Sequence, residues 1–108
     1  MIFLKKNKFS KRQIGVDITT ISRFENCELN FIKRFCSPEE VAELEKQVDK
    51  ATYLASLWAI KEALFKANNS LSNFNKITIQ KIDKKWTYKN YAISTSHEGD
   101  LLIAFVSN

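Results

Sequence analysis

The patterned part of the chain begins at Ile14-Gly-Val-Asp-Ile18, where apolar residues alternate with small or polar ones, the period-two signature of a strand. Thr19, Thr20 and Ser22 follow as residues able to cap a turn or helix start. Phe31 to Phe35 predicts a short helical turn. Ser37-Pro-Glu-Glu40 is a strong start signal: Ser37 can cap, proline suits the first helical position, and Glu40 completes a capping box. The helix it opens is expected to reach about Gln47, with Val41 and Leu44 turned inward. Asp49 then predicts the cap of a longer helix running to about Ala67, with Leu54, Leu57, Trp58, Leu64 and Phe65 as its apolar stripe and Asn68-Asn-Ser70 as its end. Beyond that point the period returns to two. Lys76 to Ile82, Trp86 to Tyr88, Tyr91 to Ser96 and Leu101 to Val106 read as an antiparallel meander, the last two joined by a turn at Glu98-Gly-Asp100. A strand, then helices, then three or four antiparallel strands predict a single α+β domain over residues 14–108, preceded by a basic N-terminal extension over residues 1–13.

Composition narrows the chemistry. A chain of 108 residues with 44% hydrophobic content suits one core. Two glycines and one proline argue against a glycine-rich phosphate loop. Cys27, Cys36 and His97 are too few for a structural zinc site, so the cysteines are expected to be reduced thiols. No apolar run reaches the roughly 18 residues of a membrane span, and Met1 to Leu4 is too short for a signal-peptide core, which leads to the expectation of a cytoplasmic protein. The net charge of +5 favours an anionic partner, whether nucleic acid, phosphorylated cofactor or acidic protein. Lys5, Lys6, Lys8, Lys11 and Arg12 are read as a solvated tail or as steering charges for that partner.

The segment Trp58-Ala-Ile-Lys-Glu-Ala-Leu-Phe-Lys66 sets Lys61 and Glu62 inside a run that otherwise reads as buried helix. An unpaired buried carboxylate costs several kcal/mol, so Glu62 requires a cation, a metal or the rim of a cleft. Trp58, Glu62 and Lys66 are spaced by four and share a helical face. Two readings stay open on the residues alone. In one, Glu62 pairs with Lys66 along the helix. In the other, Glu62 and Asp17 hold a hard cation while lysines hold the phosphates it coordinates. Magnesium suits the second, because it takes oxygen ligands and usually only one or two protein carboxylates.

Four blocks in register then carry a resemblance: Gly15-Val-Asp17 followed by Arg23; Arg34-Phe35 before Ser37-Pro-Glu-Glu40; Trp58-Ala-Ile-Lys-Glu-Ala63 with Lys66; and Ile93-Ser-Thr-Ser-His97. Together they resemble holo-acyl-carrier-protein synthase from about residue 14 to the C-terminus. The resemblance implies a phosphopantetheinyl transferase fold and a Mg2+-dependent transfer of phosphopantetheine from coenzyme A to a serine of apo acyl carrier protein, releasing adenosine 3',5'-bisphosphate. It implies Asp17 and Glu62 as metal ligands and, with Lys66, as the catalytic group. Lys61, Lys66, Ser96 and His97 would contact coenzyme A phosphates, and Arg23 would grip an acidic helix of the carrier protein. It also implies a homotrimer with coenzyme A in the cleft between two protomers.

The chain departs from the family pattern in places. Leu57 stands where the family usually has an arginine, Asn68 to Asn73 replaces a glycine-rich loop, the segment between the middle strands is shortened to about Lys84 to Asn90, and the N-terminal extension is longer than usual. Two rivals follow. A small basic nucleic-acid-binding module would use Trp86, Tyr88 and Tyr91 as stacking residues, though it leaves Asp17 and Glu62 without a role. A catalytically silent relative would bind the carrier protein without modifying it.

Overall fold

The structure is a computed structural model that describes residues 12–108. The Lys5 to Lys11 cluster, with the steering role expected of it, lies outside the described residues. In chain order the elements are β1 (Ile14–Thr20), a 3-10 turn (Ser22–Phe24), α1 (Leu29–Phe35), α2 (Pro38–Leu44), α3 (Lys50–Ala67), a second 3-10 turn (Phe74–Lys76), β2 (Gln80–Ile82), β3 (Lys85–Thr87), β4 (Ala92–Glu98) and β5 (Leu101–Ser107). The α+β class expected from the pattern is the class observed, and so are both helix caps. Ser37 Oγ accepts from the Glu40 amide at 3.3 Å while Glu40 Oε1 accepts from the Ser37 amide at 2.9 Å. Asp49 accepts from the Thr52 amide at 3.1 Å.

The strands are arranged differently from a simple meander. β5 is central in a three-stranded antiparallel sheet ordered β1-β5-β4, while β2 and β3 form a separate hairpin. Asp83 and Lys84, both with positive φ, make the two-residue turn of that hairpin. Lys76 to Ile79, expected to be the start of a strand, is instead a 3-10 turn followed by irregular chain. Its backbone groups are taken by side chains: the carbonyls of Phe74 and Ile77 accept from Lys61, and the amide of Ile79 donates to Glu40. Groups so engaged are lost to a ladder.

Helix α3 was expected to bury a stripe, and it buries nearly its whole girth. From Tyr53 to Leu64 every residue except Trp58 and Glu62 is buried. The sheet covers one side through β1 and β5, and α1, α2 and the first 3-10 turn cover the other. The approach of β1 to α3 is a backbone contact. A Cβ on Gly15 would lie 1.9 Å from the carbonyl oxygen of Ala63 and 3.0 Å from the amide nitrogen of Ala67, so only glycine lets the strand lie directly on the helix.

Opposite β1, Lys61 is fully buried and serves as a four-way tie. Its ammonium donates to the carbonyls of Phe35 (2.7 Å), Phe74 (2.9 Å) and Ile77 (2.7 Å) and pairs with Glu40 at 2.5 Å. Burial pushes the Lys61 ammonium below the ordinary lysine range, and the Glu40 carboxylate opposes that shift. The pair therefore fastens the end of α1, the start of α2 and the chain entering β2 onto α3.

Two outcomes test these contacts. Lys61→Met leaves Glu40 buried without its cation and is expected to remove about 3–5 kcal/mol of stability in urea unfolding, whereas unchanged stability would refute the tie. Gly15→Ala forces β1 off α3 and is expected to cost about 2 kcal/mol or more. In a thermal melt that corresponds to a midpoint roughly 10 °C lower, and an unaltered melt would contradict the backbone contact.

Candidate active site

Trp58 and Glu62, the two residues of the α3 midsection that escape full burial, lie one turn apart on one face, and Lys66 continues that face by another turn. Asp17 is on β1 and, like Gly15 and Thr19, lies on its helix-facing side. The Gly15 contact lowers this strand onto the second half of α3. Lys66 Nζ donates to Asp17 Oδ1 at 3.0 Å and to the carbonyl of Val16 at 2.9 Å. Lys66 thus reaches across to β1 instead of ion-pairing with Glu62 along the helix. Among the described residues Glu62 enters no salt bridge. Burial pushes the Glu62 carboxyl above its usual range and the Asp17 charge pushes it further, while Lys66 and Arg23 pull it down. Arg23, on the first 3-10 turn, lies with its guanidinium carbon 4.6 Å from the Trp58 ring centroid. Asp17, Arg23, Glu62 and Lys66 form one electrostatic cluster along the exposed edge of α3.

Ser96 and His97 stand apart from that cluster within the chain. Across the sheet Ser96 pairs with Ile103 and His97 with Leu102, so β5 lies between them and β1. Two strand spacings are about 10 Å. Ser96 is on the outer sheet face with Ile18 and Ile103, and His97 is on the inner face. His97 lines a groove of about 1090 Å³ between the start of α3, the β2–β3 hairpin and β4, in company with Thr95, Lys46, Lys81 and Trp86. The groove is a feature that sequence reasoning missed, because its walls come from segments far apart in the chain.

Lys61 requires a correction. The resemblance assigned it to coenzyme A phosphates, yet its ammonium has no exposed surface and its donors are spent on three carbonyls and Glu40. Its position one residue before Glu62 turns it about 100° around the helix, into the core. Leu57, where the family arginine was expected, is likewise fully buried. In place of the glycine-rich loop, Asn68 Oδ1 accepts from the Ser70 amide at 3.1 Å and its hydroxyl at 2.7 Å, tying the chain after α3 into a turn. The aromatic residues that suggested nucleic-acid stacking are partly buried against the core: Trp86 leans on Tyr53, and Tyr88 stacks on Tyr91 at 6.3 Å.

Chemically the cluster presents two carboxylates beside the Lys66 ammonium, with the Glu62 carboxyl raised by burial and then by the Asp17 charge. That donor set fits a hard divalent cation such as Mg2+. Among the described residues no group of three or more His, Cys, Asp or Glu side chains is arranged to hold a metal. An ion between Asp17 and Glu62 would therefore draw further oxygens from water and a bound phosphate. No helix among the described residues is long and apolar enough to cross a membrane.

Comparison with known proteins agrees with this fold. The chain is 48% identical over 98 residues to the holo-[acyl-carrier-protein] synthase of Mycoplasma mobile, an alignment covering 91% of this chain and 90% of that protein. Among solved structures, holo-[acyl-carrier-protein] synthase of Neisseria meningitidis superposes with a TM-score of 0.74 at 27% identity, over 88% of this chain and 95% of that one. The Helicobacter pylori enzyme in complex with coenzyme A gives a TM-score of 0.68 at 31% identity, over 86% of this chain and 96% of that one. The profile of the 4'-phosphopantetheinyl transferase superfamily matches residues 13–106, almost all of what the structure describes. Fold and similarity converge: the chain belongs to the 4'-phosphopantetheinyl transferase superfamily and is an enzyme of that kind.

Proposed function

We propose that the protein is a cytoplasmic holo-acyl-carrier-protein synthase, transferring phosphopantetheine from coenzyme A to a serine of apo acyl carrier protein. The observation that carries this reading is the Asp17–Lys66 pair set against Glu62, on a chain of this family. Asp17 and Glu62 would hold a Mg2+ ion, which when bound neutralises the negative charge that builds on phosphate oxygens. Lys66, half exposed beside Asp17, offers a point charge to a phosphate oxygen. The serine Oγ attacks the β-phosphorus of coenzyme A, the bond to the bridging oxygen breaks, and adenosine 3',5'-bisphosphate leaves. A carboxylate oxygen of Glu62, directly or through one water, takes the serine proton. Most of the catalytic contribution is positioning and electrostatics, as in phosphoryl transfer generally.

The same reading supplies an occupant for the outer sheet face. Ile14, Val16 and Ile18 of β1 and Leu101, Ile103 and Phe105 of β5 are each more than 40% exposed and lie side by side. A contiguous apolar face of this kind is costly in water. Three copies packed through it form the homotrimer, and the Ser96–His97 end of one β4 then completes the Asp17–Glu62 cluster of its neighbour. Coenzyme A lies between them, its phosphates reached by Lys66 from one protomer and by Ser96 and His97 from the next. Arg23 meets the acidic carrier.

The test is to incubate the protein with coenzyme A, Mg2+ and apo carrier protein and to weigh the carrier by mass spectrometry. The carrier is expected to gain the mass of one phosphopantetheine. Glu62→Gln and Asp17→Asn are each expected to slow the gain by about a hundredfold or more. A wild-type protein that binds the carrier and leaves its mass unchanged would instead identify a silent relative.

A further inference from the structure

Arg23 is exposed, yet it is held from two sides. Its guanidinium lies over the face of Trp58, 4.6 Å from the ring centroid, and 5.4 Å from that of Phe24. Trp58 is itself braced, packing edge-on against Phe35 at 5.2 Å and Phe74 at 6.3 Å. On the other side the turn that carries Arg23 is clamped by the β4–β5 turn. Asp100 Oδ1 accepts from the Ser22 amide at 2.8 Å, its Oδ2 from the Ser22 hydroxyl at 2.6 Å, and its carbonyl from the Ile21 amide at 2.8 Å. An arginine on a free turn surrenders rotamer entropy when a partner fixes it. Here much of that freedom is gone before a partner arrives, which favours binding.

We propose that Trp58 and Asp100 are positioning residues that preset Arg23 for a carboxylate-bearing face of the protein substrate, Trp58 through its ring and Asp100 by holding the turn. The inference rests on the proposed function, which supplies an acidic carrier as the partner. Neither residue is assigned a part at the reacting atoms. A planar, delocalised cation suits the Trp58 face, and a lysine ammonium would stack there less well.

Steady-state kinetics with carrier and coenzyme A varied separately test the idea on wild type, Trp58→Phe, Trp58→Leu, Asp100→Ala and Arg23→Lys. Trp58→Leu and Asp100→Ala, which keep the Arg23 charge, are expected to raise the carrier KM about tenfold, with kcat and the coenzyme A KM within about twofold of wild type. Trp58→Phe should restore most of the carrier affinity, and Arg23→Lys should resemble Trp58→Leu. An unchanged carrier KM in both Trp58→Leu and Asp100→Ala would overturn the inference. So would a parallel change of carrier KM, coenzyme A KM and kcat in Asp100→Ala, whose side chain is at the surface. Absence of transfer by the wild type would overturn the functional reading instead. Calorimetric titration of the carrier would then decide the docking alone, with about tenfold weaker binding by both variants supporting it and equal binding refuting it.

Discussion

The backbone of β1 rests on the backbone of α3 at Gly15, and the arrangement of the candidate site depends on that contact. A side chain at this position would hold the strand off the helix. Without one, the strand settles close enough for Asp17 to reach Lys66 and to add its charge to the burial that raises the Glu62 carboxyl. The same settling turns the polar side of β1 inward and its isoleucines and valine outward, the reverse of an ordinary half-buried strand. One glycine therefore has two effects. It assembles carboxylates against a helix that is otherwise core, and it leaves the apolar side of the sheet for another surface to cover.

Lys61 and Glu40 anchor the helix from the opposite side. A buried ion pair is weak evidence for stability in itself, but breaking one is costly, and this pair also occupies backbone groups from three separate segments. That division of labour separates adjacent residues of one motif. Lys61 faces the core and holds the frame, while Glu62, one residue on, faces the site. Chemical type gave no hint of the division, since both are charged residues in a hydrophobic run.

Much of this was legible in the chain. Both caps of α2 and α3, the α+β class and the grouping of Asp17 with Glu62 and Lys66 followed from capping signals, periodicity and family resemblance. What could not be read were contacts set by tertiary partners. The strand expected from Lys76 was lost because Lys61 and Glu40 take its backbone groups. The stripe expected on α3 became a nearly complete girdle, because a sheet covers one side and helices the other. β5, with apolar residues on both faces, gave no period to show which side met α3. Lys61 was misassigned for the same reason: a lysine beside a site residue looks functional until its direction around the helix is known. The Trp58–Arg23 stack and the Asp100 clamp join residues 35 and 78 positions apart, beyond any local pattern.

We propose that each active site is shared, with Asp17 and Glu62 from one copy and Ser96 and His97 from the next, a reading supported by the position of β5 between them within a chain. The most direct measurement is subunit complementation with Asp17→Asn and His97→Ala proteins, co-refolded in equal amounts and assayed for carrier modification. Each variant alone should be nearly inactive. Random assembly of a closed ring should restore about a quarter of the sites, and with them about a quarter of the wild-type rate. A mixture no more active than its separate components would contradict the shared site.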